Sequence, residues 1–147
     1  MLARILASIC IASALLVAGC ASVPMASMEQ DTAAKAFKAP AGQSRIYLYR
    51  NENMGGAVKI PVTIDGRMSA HTGPKTYFVF DVAPGPHELA CIGETSGKLS
   101  LNTTADTSYY VWQEMKMGMW AASCALKQVD EQTGQKAVNE CKLALSQ

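Results

Sequence analysis

The chain is poor in the residues that most often do chemistry or bind polyanions. It has two histidines, His71 and His87, in 147 residues, and charged residues make up only 17% of it. Thirteen Lys and Arg stand against twelve Asp and Glu, and no basic run breaks the balance. Nucleic-acid binding depends on a concentrated positive field, so that class of partner has no electrostatic footprint here. Aromatic residues are scarce at 7%, yet hydrophobic residues reach 49%, and so apolar and weakly charged a chain is not disordered. The length accommodates one domain. An apolar run of the roughly 20 residues that span a bilayer is missing as well.

What is present begins with an address. A single charge, Arg4, precedes the largely apolar run Ile5–Val17, and small residues follow. That order defines a secretory signal peptide over residues 1–19. Val17-Ala18-Gly19-Cys20 resembles the bacterial lipobox, in which cleavage precedes the cysteine and its sulfur receives a diacylglycerol. The resemblance implies lipidation of Cys20 by palmitate-type chains, and more than one chain suffices for stable anchoring because each buried CH₂ gives about 0.8 kcal/mol. Ala21, in place of the Asp that retains similar lipoproteins in the inner membrane, implies the outer membrane with the domain facing the periplasm. The leader carries Arg4 and no acidic residue, so the remainder holds twelve charges of each sign.

Residues 20–43 read as a flexible lipidated tether, with Pro24, Pro40 and one aromatic, Phe37. Asp31–Phe37 suits one or two helical turns capped by Asp31 or Thr32, with Phe37 docking onto the domain. From Ser44 the pattern changes to period two. Val58, Ile60, Val62 and Ile64 alternate with polar residues, and Asp65-Gly66 supplies a hairpin turn. Pro61 removes a ladder donor and places this strand at an edge or a bulge. Arg45–Arg50, Thr76–Val82, His87–Ile92, Leu99–Thr103 and Ser108–Met115 are further strands. A last long strand has Trp120, Ala122, Cys124 and Leu126 on its inner face. Gln132-Thr133-Gly134 then turns the chain, and Ala137–Leu145 is a short helix or a strand. Seven to eight short strands with turn signals between them predict an all-β fold over residues 44–147, a small antiparallel β-sandwich of immunoglobulin or PEGA-like type. A parallel α/β enzyme fold is excluded by the absence of alternating helical patterns.

The segment Tyr77–His87 (YFVFDVAPGPH) resembles the strand–Pro-Gly-x-His–strand core of uncharacterised bacterial lipoproteins classed as a domain of unknown function, related to PEGA-type surface domains. Ser44–Asn53, Tyr109–Gln113, Lys116–Ala122 and Glu140-Cys141-Lys142 agree with it, so the resemblance covers roughly residues 37–145. It implies a small β-sandwich on a lipid tether and no particular reaction, since fold alone licenses none.

The residues that could serve catalysis do not assemble into a recognisable constellation in the sequence. His87 follows Pro86 at a strand start, where turn hydrogen bonding explains it, and His71 lies beside the Gly73-Pro74 turn. No Gly-x-Ser-x-Gly elbow occurs. His87–Cys91 lacks the second histidine of a zinc-protease helix and reads as strand. Gly93–Lys98 is one residue short of a phosphate loop and has no helix after it. Asn102-Thr103-Thr104 matches a glycosylation sequon without consequence in a bacterial lipoprotein.

Cys91, Cys124 and Cys141 remain once Cys10 and Cys20 are set aside, so at most one internal disulfide forms. Cys124 and Cys141 flank Gln132–Gly134 almost symmetrically, and a hairpin there pairs them. Cys91 shares the inward parity of Leu89 and reads as a small buried hydrophobe. Met115, Met117 and Met119 have strand spacing that projects three thioethers from one face. That arrangement suits Cu(I), and it equally suits packing or a partner surface. Tyr47, Tyr49, Tyr110 and Trp112 either form an exposed aromatic platform for a protein or glycan, or a second buried layer under the tether. The expectation is therefore a non-enzymatic, lipid-anchored periplasmic domain without a cofactor, binding an envelope protein or glycan. A copper-handling lipoprotein is the alternative, and an envelope hydrolase ranks behind both.

Overall fold

The computed structural model describes residues 23–146, so the leader, Cys10 and Cys20 lie outside the described residues. It is a mostly β protein, as expected, with nine strands and two short helices among those residues. In chain order these are α1 (Met28–Ala34), β1 (Ser44–Arg50), β2 (Ile60–Ile64), β3 (Arg67–Thr72), β4 (Thr76–Val82), β5 (Gly85–Cys91), β6 (Gly97–Thr103), β7 (Ser108–Met117), β8 (Ala122–Val129), α2 (Glu131–Asn139) and β9 (Lys142–Leu143). The strands form a five-stranded sheet, β8-β7-β1-β4-β9, and a four-stranded sheet, β3-β2-β5-β6. Most pairings are antiparallel, but β1 with β7 and β4 with β9 run parallel, so the larger sheet is mixed.

The centre of the larger sheet explains the rest. Successive side chains of a strand point to opposite faces, and both faces of β1 are buried. Ile46 and Leu48 face the smaller sheet, where they join Ile60, Val62, Phe78, Leu89 and Val111 in the main core. Tyr47 and Tyr49 face the other way. Register places Tyr77, Tyr110 and Trp112 beside them on that same face. The tyrosines are covered: α1 and Phe37 lie over one part and α2 over another. Of the two readings of the aromatics, the buried layer is therefore the one the fold adopts. Tyr47 stacks on Tyr110 with ring centroids 5.2 Å apart, Phe37 tilts against both, and the Tyr47 hydroxyl donates to the Ala34 carbonyl at 2.8 Å.

This cover corrects the boundary drawn at residue 44. Val23 belongs to the main core, Met25 bridges Ala144, and the Ala26 amide donates to the Leu143 carbonyl at 3.0 Å. Residues 23–43 are thus packed and not a free tether. The cap of α1 is Ser27, earlier than Asp31 or Thr32: its hydroxyl accepts from the Gln30 amide while the Gln30 side chain accepts from the Ser27 amide. Phe37 docks as expected.

Gln132-Thr133-Gly134 is not a hairpin turn but the start of α2. Asp130 caps it, accepting from the Thr133 amide and hydroxyl at 2.9 and 2.7 Å. Gly134, Ala137, Val138 and Cys141 form a buried stripe at helical spacing. Pro61 lies in β2, which is internal in its sheet and carries a bulge between Val62 and Thr63. Of the two expected placements the strand shows the bulge and does not lie at the edge. Pro61 sits where the ladder with β5 ends, its carbonyl accepting from Ile92 at 2.9 Å, so little pairing is lost.

Gly134 gives a test with a sign. Replacing an interior helical glycine by alanine ordinarily stabilises by roughly 1 kcal/mol. Here the added methyl group would overlap the Tyr110 ring, with Cδ1 at 2.6 Å. Gly134→Ala should therefore lower the urea midpoint, by an amount corresponding to about 1–3 kcal/mol. A raised midpoint would show that α2 does not rest on Tyr110.

Candidate interaction site at the tip of the long hairpin

The residues singled out from the sequence separate in the fold. The cysteine pairing is Cys91 with Cys124, Cα atoms 6.2 Å apart, and not Cys124 with Cys141. The reason is α2: once Gln132–Gly134 is helical, no hairpin opposes Cys124 to Cys141. Cys141 is instead a free thiol under the helix, close to the Arg50 carbonyl, and burial pushes its pKa up to about 12. Cys91 points inward as its parity required, but as half of the bridge that joins β5 of one sheet to β8 of the other.

The methionines are divided between core and surface. Met115 is buried, and Arg50 Nη2 donates to its sulfur at 3.0 Å. Met117 and Met119 are exposed. A fixed cation on one thioether and solvent around the others do not gather three sulfurs around copper. His87 performs the turn bonding expected of it: Nε2 meets the Ala83 carbonyl and Nδ1 meets Asp65, both at 2.7 Å. The Ala83 carbonyl first and Asp65 second favour the imidazolium and raise the His87 pKa. That stabilisation is present below the ordinary histidine pKa and is lost as pH rises through the raised one. His71 lies on edge strand β3, away from His87.

Two features escaped the sequence reading. The first is Arg50, fully buried with no carboxylate bonded to it. Its guanidinium donates to the carbonyls of Val58, Met54 and Gly55 at 2.9, 2.6 and 3.2 Å and so fixes the connection between β1 and β2. Thr72, which also meets Arg50 through its carbonyl, donates its hydroxyl to Gln113. This cluster is closed from solvent and is structural.

The second is Glu94, in the loop between β5 and β6. The chain between β7 and β8, residues 118–121, turns so that three successive amides point the same way. The Glu94 carboxylate accepts from Met119, Trp120 and Ala121 at 3.1, 2.7 and 2.6 Å. Such a row of amides is a ready anion site, and here the protein fills it from within. The amides of Ala121 and then Trp120 hold the Glu94 carboxyl below the usual glutamate range. Glycines let the two loops approach. A methyl group at Gly118 would strike Glu94 Oε2 at 2.6 Å, and one at Gly93 would lie 2.6 Å from the Ala122 carbonyl. The bridge Cys91–Cys124 and the bond from the Cys124 amide to the Thr95 carbonyl, 3.1 Å, brace the same junction.

The braced turn presents apolar side chains outward. Trp120 is 89% exposed, Met119 81% and Met117 77%, so none of the three is packed away among the described residues. Trp120 was expected on the inner face with Cys124 and Leu126. The turn ends before β8 begins, so the alternation that buries Cys124 does not extend back to it. Elsewhere the depressions offer less. A groove of about 500 Å³ between α1 and the chain after α2 includes Asp31 and Lys35. These already satisfy each other and the backbone of Leu143 and Cys141.

Two measurements test the junction. Peptide mapping without reduction should recover Cys91 linked to Cys124, with Cys141 alkylated only after denaturation. Removing the bridge, which spans 33 residues of sequence, should cost on the order of 3–4 kcal/mol. In an NMR titration the amides of Met119, Trp120 and Ala121 should shift together only as pH falls below about 4.5, because a lowered carboxyl pKa gives stabilisation that is complete above the ordinary value. Glu94→Gln should abolish that titration and speed exchange of these amides on the order of tenfold. Unchanged exchange would leave the turn ordered by something other than Glu94.

Comparison with known proteins places this fold in a family. A protein of Haemophilus influenzae described as uncharacterized is 34% identical over 135 residues, an alignment covering 90% of this chain and 80% of that protein. Residues 40–125, from the end of the α1 segment into β8, match the family described as "Protein of unknown function (DUF2846)". The chain belongs to the DUF2846 family.

Proposed function

We propose that this protein is a lipid-anchored module of the bacterial envelope that works by contact and not by catalysis. The address rests on the sequence, where the apolar run Ile5–Val17 ends in Val17-Ala18-Gly19-Cys20. On this reading Cys20 carries the acyl chains, the domain faces the periplasm from the outer membrane, and its partner is another envelope component.

The contact rests on one observation. Met117, Met119 and Trp120 stand out in water on a turn that Glu94 and the Cys91–Cys124 bridge hold in place. Full burial of a large apolar side chain is worth about 1.5–3 kcal/mol, so three such side chains held outside any core form an affinity reserve for a second surface. Tryptophan is also the residue most enriched at the energetic centres of interfaces.

Intact-mass analysis of the protein extracted from envelopes tests the address. The expected species begins at Cys20 and carries diacylglycerol and an N-acyl chain, and Cys20→Ala should abolish both the modification and membrane retention after salt washing. An unmodified sulfur at Cys20 would end this reading.

A further inference from the structure

Strand register sorts the two ends of the sandwich. Arg50, the last residue of β1, pairs with Thr76, the first of β4, so the β3–β4 turn lies at that end. β7 runs parallel to β1 with Tyr49 beside Trp112, which carries the far part of β7 toward the same end. β7 continues to Met117, four residues past the level of Arg50 and Gln113. At about 3.3 Å per residue Met117 stands roughly 13 Å along β7 from the level of Arg50, and the Met119–Trp120 turn follows it. β5 also ends there, because Cys91 pairs with Val62 near the start of β2 and the Ile92 amide bonds to Pro61.

The exposed apolar side chains are distributed unevenly between the ends. Met54, Ile92, Met117, Met119 and Trp120 lie at the end just defined, and Met25 borders the turn Gly73–Lys75 there. Beside the Asp65-Gly66 turn, at the opposite end, Met68 is exposed, while Met28 at the start of α1 and Leu145 after β9 are exposed along the side of the domain that carries the α1 groove.

The chain enters the fold at the apolar end too. Val23 packs on Gly73, its Cγ2 only 3.0 Å from where a Cβ would stand. Cys20 is three residues earlier, a reach of at most about 10 Å. A lipid on Cys20 therefore holds this end, and not the other, near the membrane surface.

We infer that the occupant of the Met119–Trp120 turn is the bilayer that holds the anchor: the tip enters the headgroup region and docks the domain end-on. The inference deepens the reading of the protein as a lipid-anchored contact module and rests on it for the choice of membrane over protein. Tip chemistry agrees. Tryptophan prefers the membrane–water boundary, where its apolar ring and N–H are both satisfied, and the neighbouring Lys116 can extend its ammonium back to water. The Glu94 carboxylate, which lies against the turn from the β5–β6 loop, is already taken up by three amides and needs no counter-ion from the lipid.

The test uses the full-length protein purified from envelopes and reconstituted into phosphatidylethanolamine–phosphatidylglycerol vesicles containing a dibrominated phosphatidylcholine. The chain has two tryptophans, Trp112 and Trp120. Subtracting the emission of Trp120→Phe, a surface change, isolates Trp120 without disturbing Trp112. The expected result is an approximately twofold quenching of the Trp120 component, because an interfacial ring sits roughly 5–10 Å into the headgroup and acyl boundary. Equal relative quenching in the wild type and Trp120→Phe would overturn the inference. So would photocrosslinking from position 119 that yields a protein adduct and no lipid adduct. Mass analysis of Cys20 on the same sample separates the two levels. An acylated Cys20 with an unquenched Trp120 overturns the docking alone, whereas a quenched Trp120 on an unmodified chain supports the docking and removes the anchor.

Discussion

Strand β1 has no side that faces water, and the remainder of the domain follows from that constraint. Ile46 and Leu48 need the smaller sheet; Tyr47 and Tyr49 need something on the opposite face. A sheet with one wet face would leave four tyrosines and Trp112 open to solvent in one patch, which is the kind of surface that aggregates or binds. The chain resolves this with its two ends. The segment before β1 supplies α1 and Phe37, and the segment after β8 supplies α2, with the Tyr47 and Tyr110 rings stacked between them. Burial raises the pKa of Tyr47, Tyr49, Tyr77 and Tyr110 alike, and desolvation is the largest cause in each.

The hairpin tip follows the opposite logic. Everything around it is arranged to prevent collapse onto the domain. The disulfide links the two sheets directly beneath, glycines at 93, 97 and 118 allow backbone-to-backbone approach, and Glu94 occupies the amides that a flexible turn would rotate toward water. Met115, two residues before Met117, is drawn inside by Arg50. The same short stretch of sequence therefore contributes one methionine to the core and two, with a tryptophan, to solvent. Packing an exposed Met–Trp turn back onto the sheet would bury apolar area, and a tip held outward against that gain is what supports the proposed contact outside the monomer.

How much of this could be read beforehand varies with the physics of each segment. Alternation exposed the strands, because Ile60, Val62 and Ile64 face oil at every second position. It could not reveal the start of α2, where Gly134 and Thr133 carry turn chemistry and the buried stripe consists of small residues with little hydrophobic contrast; over Ala137–Leu145 the expected helix holds to Asn139 and the expected strand appears at Lys142–Leu143. Missing that helix also produced the wrong cysteine pair, since the choice of Cys141 rested on a hairpin. The cap of α1 is legible in the sequence: Ser27-Met28-Glu29-Gln30 is a capping box that precedes the expected caps Asp31 and Thr32. Arg50 and Glu94 were not legible. Their partners are backbone groups brought near by tertiary structure, and no side-chain pattern in a sequence records where carbonyls and amides will point. Trp120 was misplaced because parity was extended through a turn, where period two no longer holds.

The point at which packing begins decides what a membrane anchor can do. A free chain from residue 20 to 43 would let the domain wander by about 5–6 Å times the square root of its length, roughly 25–30 Å, with no preferred orientation. Because Val23 is already in the core and Cys20 stands three positions before it, a lipid on Cys20, as proposed, would confine the domain to about 10 Å of the anchoring point. Confinement of that kind turns a second, weak contact into an intramolecular one at high effective concentration. A tip of three apolar side chains would hold poorly as a free binder, but under the proposed anchor it would suffice to fix which end of the sandwich meets the membrane. On that proposal the end with Asp65, His87 and the Asp65-Gly66 turn is the part presented away from the surface.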